Sequence, residues 1–174
     1  MIKTTLKSLA VFCGSSSGNQ SSYENVTQQF AEAMVDAGIT LVYGGGNVGL
    51  MGVLAKAVLN KGGQAIGVIP KILVEKELAY VGLTHLHIVD SMHERKALMA
   101  ELSQGVVLLP GGFGSLDEFF EMLTWSQLNL HSKPCGILNV EHYFSDLIKF
   151  LDHAEQQDFV TSEHREMIMI TDSP

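Results

Sequence analysis

Apolar positions along the chain fall into short runs separated by stretches of helical period. The runs at 9–13, 40–43, 64–69, 86–89, 106–109 and 136–140 have the length and composition of strands. Between them, residues 23–37, 50–60, 92–103, 116–130 and 143–156 carry apolar residues at helical spacing. Several strand runs are apolar throughout rather than alternating, as expected for strands covered on both faces. The pattern predicts an α/β fold: one Rossmann-like domain over residues 1–174, a doubly wound parallel sheet with helices on both faces.

Gly38 and the pair Gly62–Gly63 fall where helices should end, as left-handed caps do. Residues 70–85, with Pro70, Glu75 and Glu77, show no period and suit a lid or a partner-contacting segment. In the tail from 162 to 174, the apolar stretch 167–170 is expected to dock on the sheet. Ligands of open α/β sheets bind beyond the carboxyl ends of the strands. Four predicted strands end in distinctive chemistry, "CGSSSG", "YGGGNVG", "VDSMHERK" and "LPGGFGS", and these ends should meet at one site.

Charge and composition narrow the function. The 174 residues carry a net charge of −8 and two arginines, Arg95 and Arg165, which is no surface for nucleic acid. A small anion held by backbone N–H groups fits that balance. Lys3 and Lys7 precede an apolar patch, but residues 9–13 are too few for a secretory core and no run is long enough for a membrane span. Cys13 and Cys135 lie in separate apolar runs without metal-ligand spacing, which reads as buried, reduced thiols in a cytoplasmic protein.

"GGGNVG" at 44–49 has the form of a dinucleotide-binding turn. Such a turn requires an acid about 20 residues on to hold the ribose, and here no acid appears before Glu75. A P-loop is excluded because Gly-Lys-Ser/Thr occurs nowhere. What remains is the general property of glycine turns before helices, close backbone approach and unpaired N–H donors. Tight packing between helix and strand explains one such turn well, and three on one side of the sheet less well.

Ser115-Leu-Asp-Glu118 reads as a capping box, and Ser91-Met-His-Glu94 repeats it. Capping alone would account for Ser115, Asp117 and Glu118. Two features exceed it. Arg95 and Lys96 stand at or beside a helix's first turn, where positive charge opposes the dipole by ~0.3–1 kcal/mol per group. Glu118 and Glu121 share a helix face, with Leu116, Phe119, Phe120 and Leu123 expected to form the buried stripe opposite. An anion cradle beside carboxylates suits a phosphorylated substrate whose reacting centre turns cationic. Cleavage of a ribose 5-phosphate N-glycosidic bond, through an oxocarbenium-like state, has that character.

"PGGFGSLDE" (110–118) and "GGGNVGLMG" (44–52), with "VFCGSSSG" and "SMHERK" in order, resemble the signatures PGGxGTxxE and GGGxxGLMG of the Lonely Guy (LOG) family, also labelled the lysine decarboxylase family. The resemblance runs from about residue 9 to the end. It implies a cytokinin riboside 5'-monophosphate phosphoribohydrolase, which releases free base and ribose 5-phosphate from N6-substituted AMP and in many members from AMP. By matching position it implies Arg95 and Glu118 as the catalytic pair, and Gly111, Gly112, Gly114 and Ser115 as the phosphate site. Lys96 and Glu121 would contact the sugar–phosphate, Ser15, Gly45 and Gly46 would line the site, and Met92 would lie against the base. It further implies no metal or other cofactor and a homodimer, hexameric in some members, with the site near the interface. Ser115 stands for the family's Thr and keeps the hydroxyl; Asp117 stands where Glu is frequent and is expected to be peripheral. The tail that ends in "ITDSP" is short for the family's last helix.

Pyridoxal-dependent decarboxylation would need a Schiff-base lysine, and Lys96 beside Arg95 is a poor setting for one. His85 and His87 alternate on one strand face without a third metal ligand. Trp125 continues the face of Glu118 and Glu121, and either packs internally or meets a partner subunit. The alternative to an enzyme is a nucleotide-binding or sensor module of the same fold.

Overall fold

The computed structural model describes residues 6–74, 76 and 79–174. Lys3, and Glu75 and Glu77 of the irregular 70–85 stretch, lie outside the described residues. Elements alternate in the order expected: β1 (Ser8–Phe12), α1 (Ser21–Asp36), β2 (Thr40–Tyr43), α2 (Gly49–Asn60), β3 (Ala65–Pro70), β4 (His85–Val89), α3 (Met92–Leu102), β5 (Gly105–Leu108), α4 (Phe113–Gln127), β6 (Cys135–Leu138), α5 (Ser145–Gln156), α6 (Ser162–Glu166) and β7 (Ile168–Thr171). The tail docks as expected: β7 pairs with β6, Cys135 opposite Ile168.

The strands form one parallel sheet in the order β4-β3-β2-β1-β5-β6-β7. The order reverses at β1, so the crevice between the carboxyl ends of β1 and β5 is the topological switch point where such sheets bind ligands. Alternate residues of one strand enter different cores. Leu9 and Val11 pack with α1 and α2, whereas Ala10 and Phe12 pack with Met99 of α3 and Phe119 and Met122 of α4. To link the edge strand β4 to β5, α3 crosses over β3, β2 and β1, which carries residues that follow the sheet's edge to its centre.

Helix ends explain two differences from the sequence reading. α1 and α2 close as predicted at Gly38 (φ 69°) and Gly62 (φ 83°), whose N–H groups bond to Val35 and Leu59. α4 stops at Gln127 instead of 130 because Asn129 (φ 58°) makes the same cap, with Leu130 N–H donating to Trp125. Its start also moves: Leu116 N–H donates to the Gly112 carbonyl at 3.1 Å, so Gly112 is the N-cap and Ser115 lies inside the helix. The predicted capping box at Ser115 is therefore absent. The one at Ser91 forms, its hydroxyl accepting from Glu94 N–H at 3.1 Å, while the Glu94 carboxylate accepts from Asp90 N–H. The α4 stripe also differs. Ser115, Glu118, Phe119, Met122 and Ser126 are buried, whereas Leu116, Phe120 and Leu123 are half-buried.

Candidate active site

Three glycine turns meet at the switch point because their backbones touch. Gly14 N–H donates to the Pro110 carbonyl at 2.9 Å and the Gly14 carbonyl accepts from Met51 N–H at 3.3 Å. A Cβ on Gly49 (φ 53°) would stand 2.3 Å from the carbonyl carbon of Ser15, and one on Gly111 would stand 2.9 Å from the backbone nitrogen of Gly14. Only glycine permits these approaches. Gly49 is thus spent on packing α2 against the β1 loop.

Beside these turns lies a cavity of about 260 Å³. Its polar wall is made by Arg95, Glu118, Ser15 and Ser115, with the backbone of Gly112 and Gly114. Met51, Leu73, Met92 and Phe113 make its apolar wall. Gly112 caps α4 without any side-chain cap, so the N–H groups of residues 112–115 have neither helical partner nor capping side chain. Such groups, with the helix dipole, suit an anion.

Arg95 is 4% exposed and Glu118 8%, and Nη1 of Arg95 stands 3.5 Å from Oε1 of Glu118. Two carbonyls fix the guanidinium, Val68 accepting from Nε at 3.1 Å and Gly44 from Nη2 at 3.0 Å. The crossing of α3 over the sheet is what brings Arg95 from the edge strand to α4. Burial, reinforced by the charge of Glu118, pushes the adjoining Cys13 thiol well above the usual cysteine range.

The remaining predicted residues stand farther back. Gly111 lines a neighbouring cavity of about 280 Å³ on the α1 side, which shares Ser15 and Gly112 with the first. Gly45 accepts from Tyr80 N–H and Gly46 from the Tyr43 hydroxyl, so both serve the fold of their turn and neither lines the cavity. Lys96 and Glu121 form an ion pair of 2.7 Å between α3 and α4, also outside the lining. Asp117, expected to be peripheral, joins them at 3.2 Å from the Lys96 ammonium. Burial alone would lower the Lys96 pKa, but the two carboxylates outweigh it and hold it above the ordinary lysine value. A Schiff-base lysine must lose its proton, so this setting does not fit pyridoxal phosphate. His85 and His87 are exposed, and no cluster of three or more metal-ligating side chains occurs among the described residues.

Sequence reading missed Cys13, Gly44, Met51, Leu73 and Phe113. For Phe113 a signal existed, a large aromatic inside a glycine turn where a packed core offers it no place.

Residues 51–174 match the family model described as "Possible lysine decarboxylase". The cytokinin riboside 5'-monophosphate phosphoribohydrolase of Rhodococcoides fascians is 45% identical over 97% of this chain and 85% of its own. Its Arabidopsis thaliana counterpart is 44% identical over 97% of this chain and 79% of its own. Among solved structures, the molybdenum cofactor binding protein of Rippkaea orientalis shares the fold with a TM-score of 0.70 at 19% identity, over 99% of this chain and 93% of that one. The molybdenum cofactor carrier protein of Chlamydomonas reinhardtii does so with a TM-score of 0.72 at 17% identity, over 96% and 90%. The chain belongs to the family of the cytokinin riboside 5'-monophosphate phosphoribohydrolases, whose model carries the lysine decarboxylase description.

Proposed function

We propose that this protein hydrolyses the N-glycosidic bond of AMP or N6-substituted AMP to free base and ribose 5-phosphate. The observation that carries the reading is the buried Arg95–Glu118 pair, 3.5 Å apart, in a cavity roofed by the uncapped N-terminus of α4. A receptor for a phosphorylated anion gains nothing from a buried carboxylate in its site. A hydrolase passing through a cationic centre does. The relatives named as such hydrolases, 45% and 44% identical, support it.

In this reading the amides of residues 112–115 and the Ser115 hydroxyl hold the phosphate, with Gly111 shaping the turn. Arg95 orients the phosphoribosyl unit and Glu118 faces C1'. As the C1'–N bond breaks, its electron pair leaves with the base and positive charge gathers on the ribose ring. The Glu118 carboxylate stabilises that charge or takes a proton from the attacking water. Water supplies the hydroxyl at C1' and the proton that the base takes up, with no metal or cofactor. Met92, with Met51, Leu73 and Phe113, faces the base. Lys96, Glu121, Gly45 and Gly46 act from behind, by holding the helices and turns that carry the site.

The active unit is a single cytoplasmic domain assembled as a homodimer that does not bind nucleic acid. The apolar side chains exposed along α4 and just after it, Phe113 (94%), Leu128 (62%) and Leu130 (69%), support such a seam, with Phe113 at its end nearest the site. No helix among the described residues is long and apolar enough to cross a membrane. The test is to incubate the purified protein with AMP and isopentenyl-AMP and follow free base by chromatography. Base released from either is the expected result. A folded protein that binds both and releases base from neither is a binding module.

A further inference from the structure

The turn that carries the phosphate amides is tied down from its far side. The Tyr143 hydroxyl donates a hydrogen bond of 2.7 Å to the Gly111 carbonyl. Tyr143 reaches it through the second cavity, on the α1 side, where its ring meets Tyr23 edge-on at 5.8 Å and Phe144 at 4.8 Å. A trans peptide is planar, and its C=O and N–H point in opposite directions. No cis bond occurs among the described residues, so a Gly111 carbonyl drawn toward Tyr143 sends the Gly112 N–H the other way. Gly112 lines both cavities, and the other way is the side of Arg95 and Glu118. Between two glycines this peptide has wide rotational freedom. The bond to Tyr143 removes it.

Backbone strain is what places Tyr143 there. Glu141 and His142, just before it, have φ of 49° and 59°, consecutive left-handed conformations at residues with a Cβ. The Asn139 side chain holds the turn, accepting from Phe144 N–H at 2.8 Å and donating to Ser145 Oγ at 3.3 Å. Burial does not account for the position, since Tyr143 remains 45% exposed.

We propose that Tyr143 is a positioning residue for the reaction, aiming the Gly112 amide at the substrate's phosphate through the Gly111 carbonyl. The proposal rests on the anion site described above, and its test separates the two. Tyr143→Phe keeps the ring and its aromatic contacts and deletes only the donor. Calorimetry should show AMP and ribose 5-phosphate binding roughly 3- to 10-fold more weakly, the range expected of one neutral hydrogen bond. Free adenine should bind within twofold of wild type, and the rise in KM for AMP should exceed any fall in kcat. Tyr23→Phe, which alters the same cavity without touching Gly111, should change none of these. Unchanged phosphate affinity in Tyr143→Phe, equal losses for adenine and ribose 5-phosphate, or the same effect in Tyr23→Phe would each overturn the role of Tyr143. Wild-type protein binding adenosine as tightly as AMP would remove the anion site itself, and the role with it. Wild-type protein that binds AMP without releasing base would refute the hydrolase alone, and the affinities would still decide the role of Tyr143.

Discussion

Gly44 and Arg95 are shaped to each other: a Cβ on Gly44 would stand 2.0 Å from Nη2 of Arg95, the atom that donates to the Gly44 carbonyl at 3.0 Å. The guanidinium therefore occupies the space a side chain would take. Gly44→Ala should leave the sheet intact, because β2 ends at Tyr43, and should push Arg95 out of line with Glu118. A displacement of about 1 Å at a catalytic group costs up to about 100-fold. The expected outcome is a drop in kcat/KM of that order with a nearly unchanged circular dichroism spectrum. Activity within threefold of wild type would mean that the exact place of Arg95 is unimportant.

Glu118→Gln separates chemistry from binding. The amide fills the same volume, and Arg95 keeps the Val68 and Gly44 carbonyls, so the fold should persist. Removing a carboxylate from the proposed phosphate site also removes repulsion. AMP should bind as tightly as to wild type or more tightly, while base release falls by about 100- to 1,000-fold, the scale seen when one electrostatic stabiliser is lost. Weakened AMP binding with preserved turnover would reverse the roles assigned here.

Much of the architecture was legible because buried parallel strands leave uninterrupted apolar runs, as at Val106–Val107–Leu108, and because Gly38 and Gly62 mark helix ends. The Arg95–Glu118 pairing was legible from charge placed against a helix dipole and from the family signatures. The start of α4 was misread because Ser115 has the side chain of a cap, while the choice of Gly112 depends on which carbonyl accepts Leu116 N–H. Gly44 and Tyr143 were out of reach for a related reason. Their roles are contacts with residues 51 and 32 positions away, and no local pattern encodes them.

The two thiols should be inert in the folded protein. Cys13 and Cys135 are 7% and 1% exposed, and burial pushes the Cys135 pKa up to about 11. At pH 8 about one Cys135 in 1,000 would be thiolate, and the thiolate is the nucleophile. Reaction with Ellman's reagent should be negligible over an hour in native buffer and reach two thiols per chain in guanidinium. Rapid modification of a native thiol would show that one of these cores opens.

Lys96 joins α3 to α4, and its titration gives the pH dependence of that joint. With its folded pKa held above the ordinary value of 10.5 by Glu121 and Asp117, the ammonium is favoured in the folded state. Its stabilisation is complete below about pH 10.5 and is lost as pH rises through the higher folded value. Lys96→Met keeps an unbranched, largely buried chain and abolishes the charge. The unfolding free energy of wild type should exceed that of Lys96→Met by a constant amount between pH 7 and 10, and the gap should close above that range. Cysteine and tyrosine titrations also weaken both proteins in alkali, but they are common to the two and cancel in the difference. A gap that stays constant up to pH 11.5, or widens, would mean that the methylenes of Lys96 and not its ion pairs hold the two helices together.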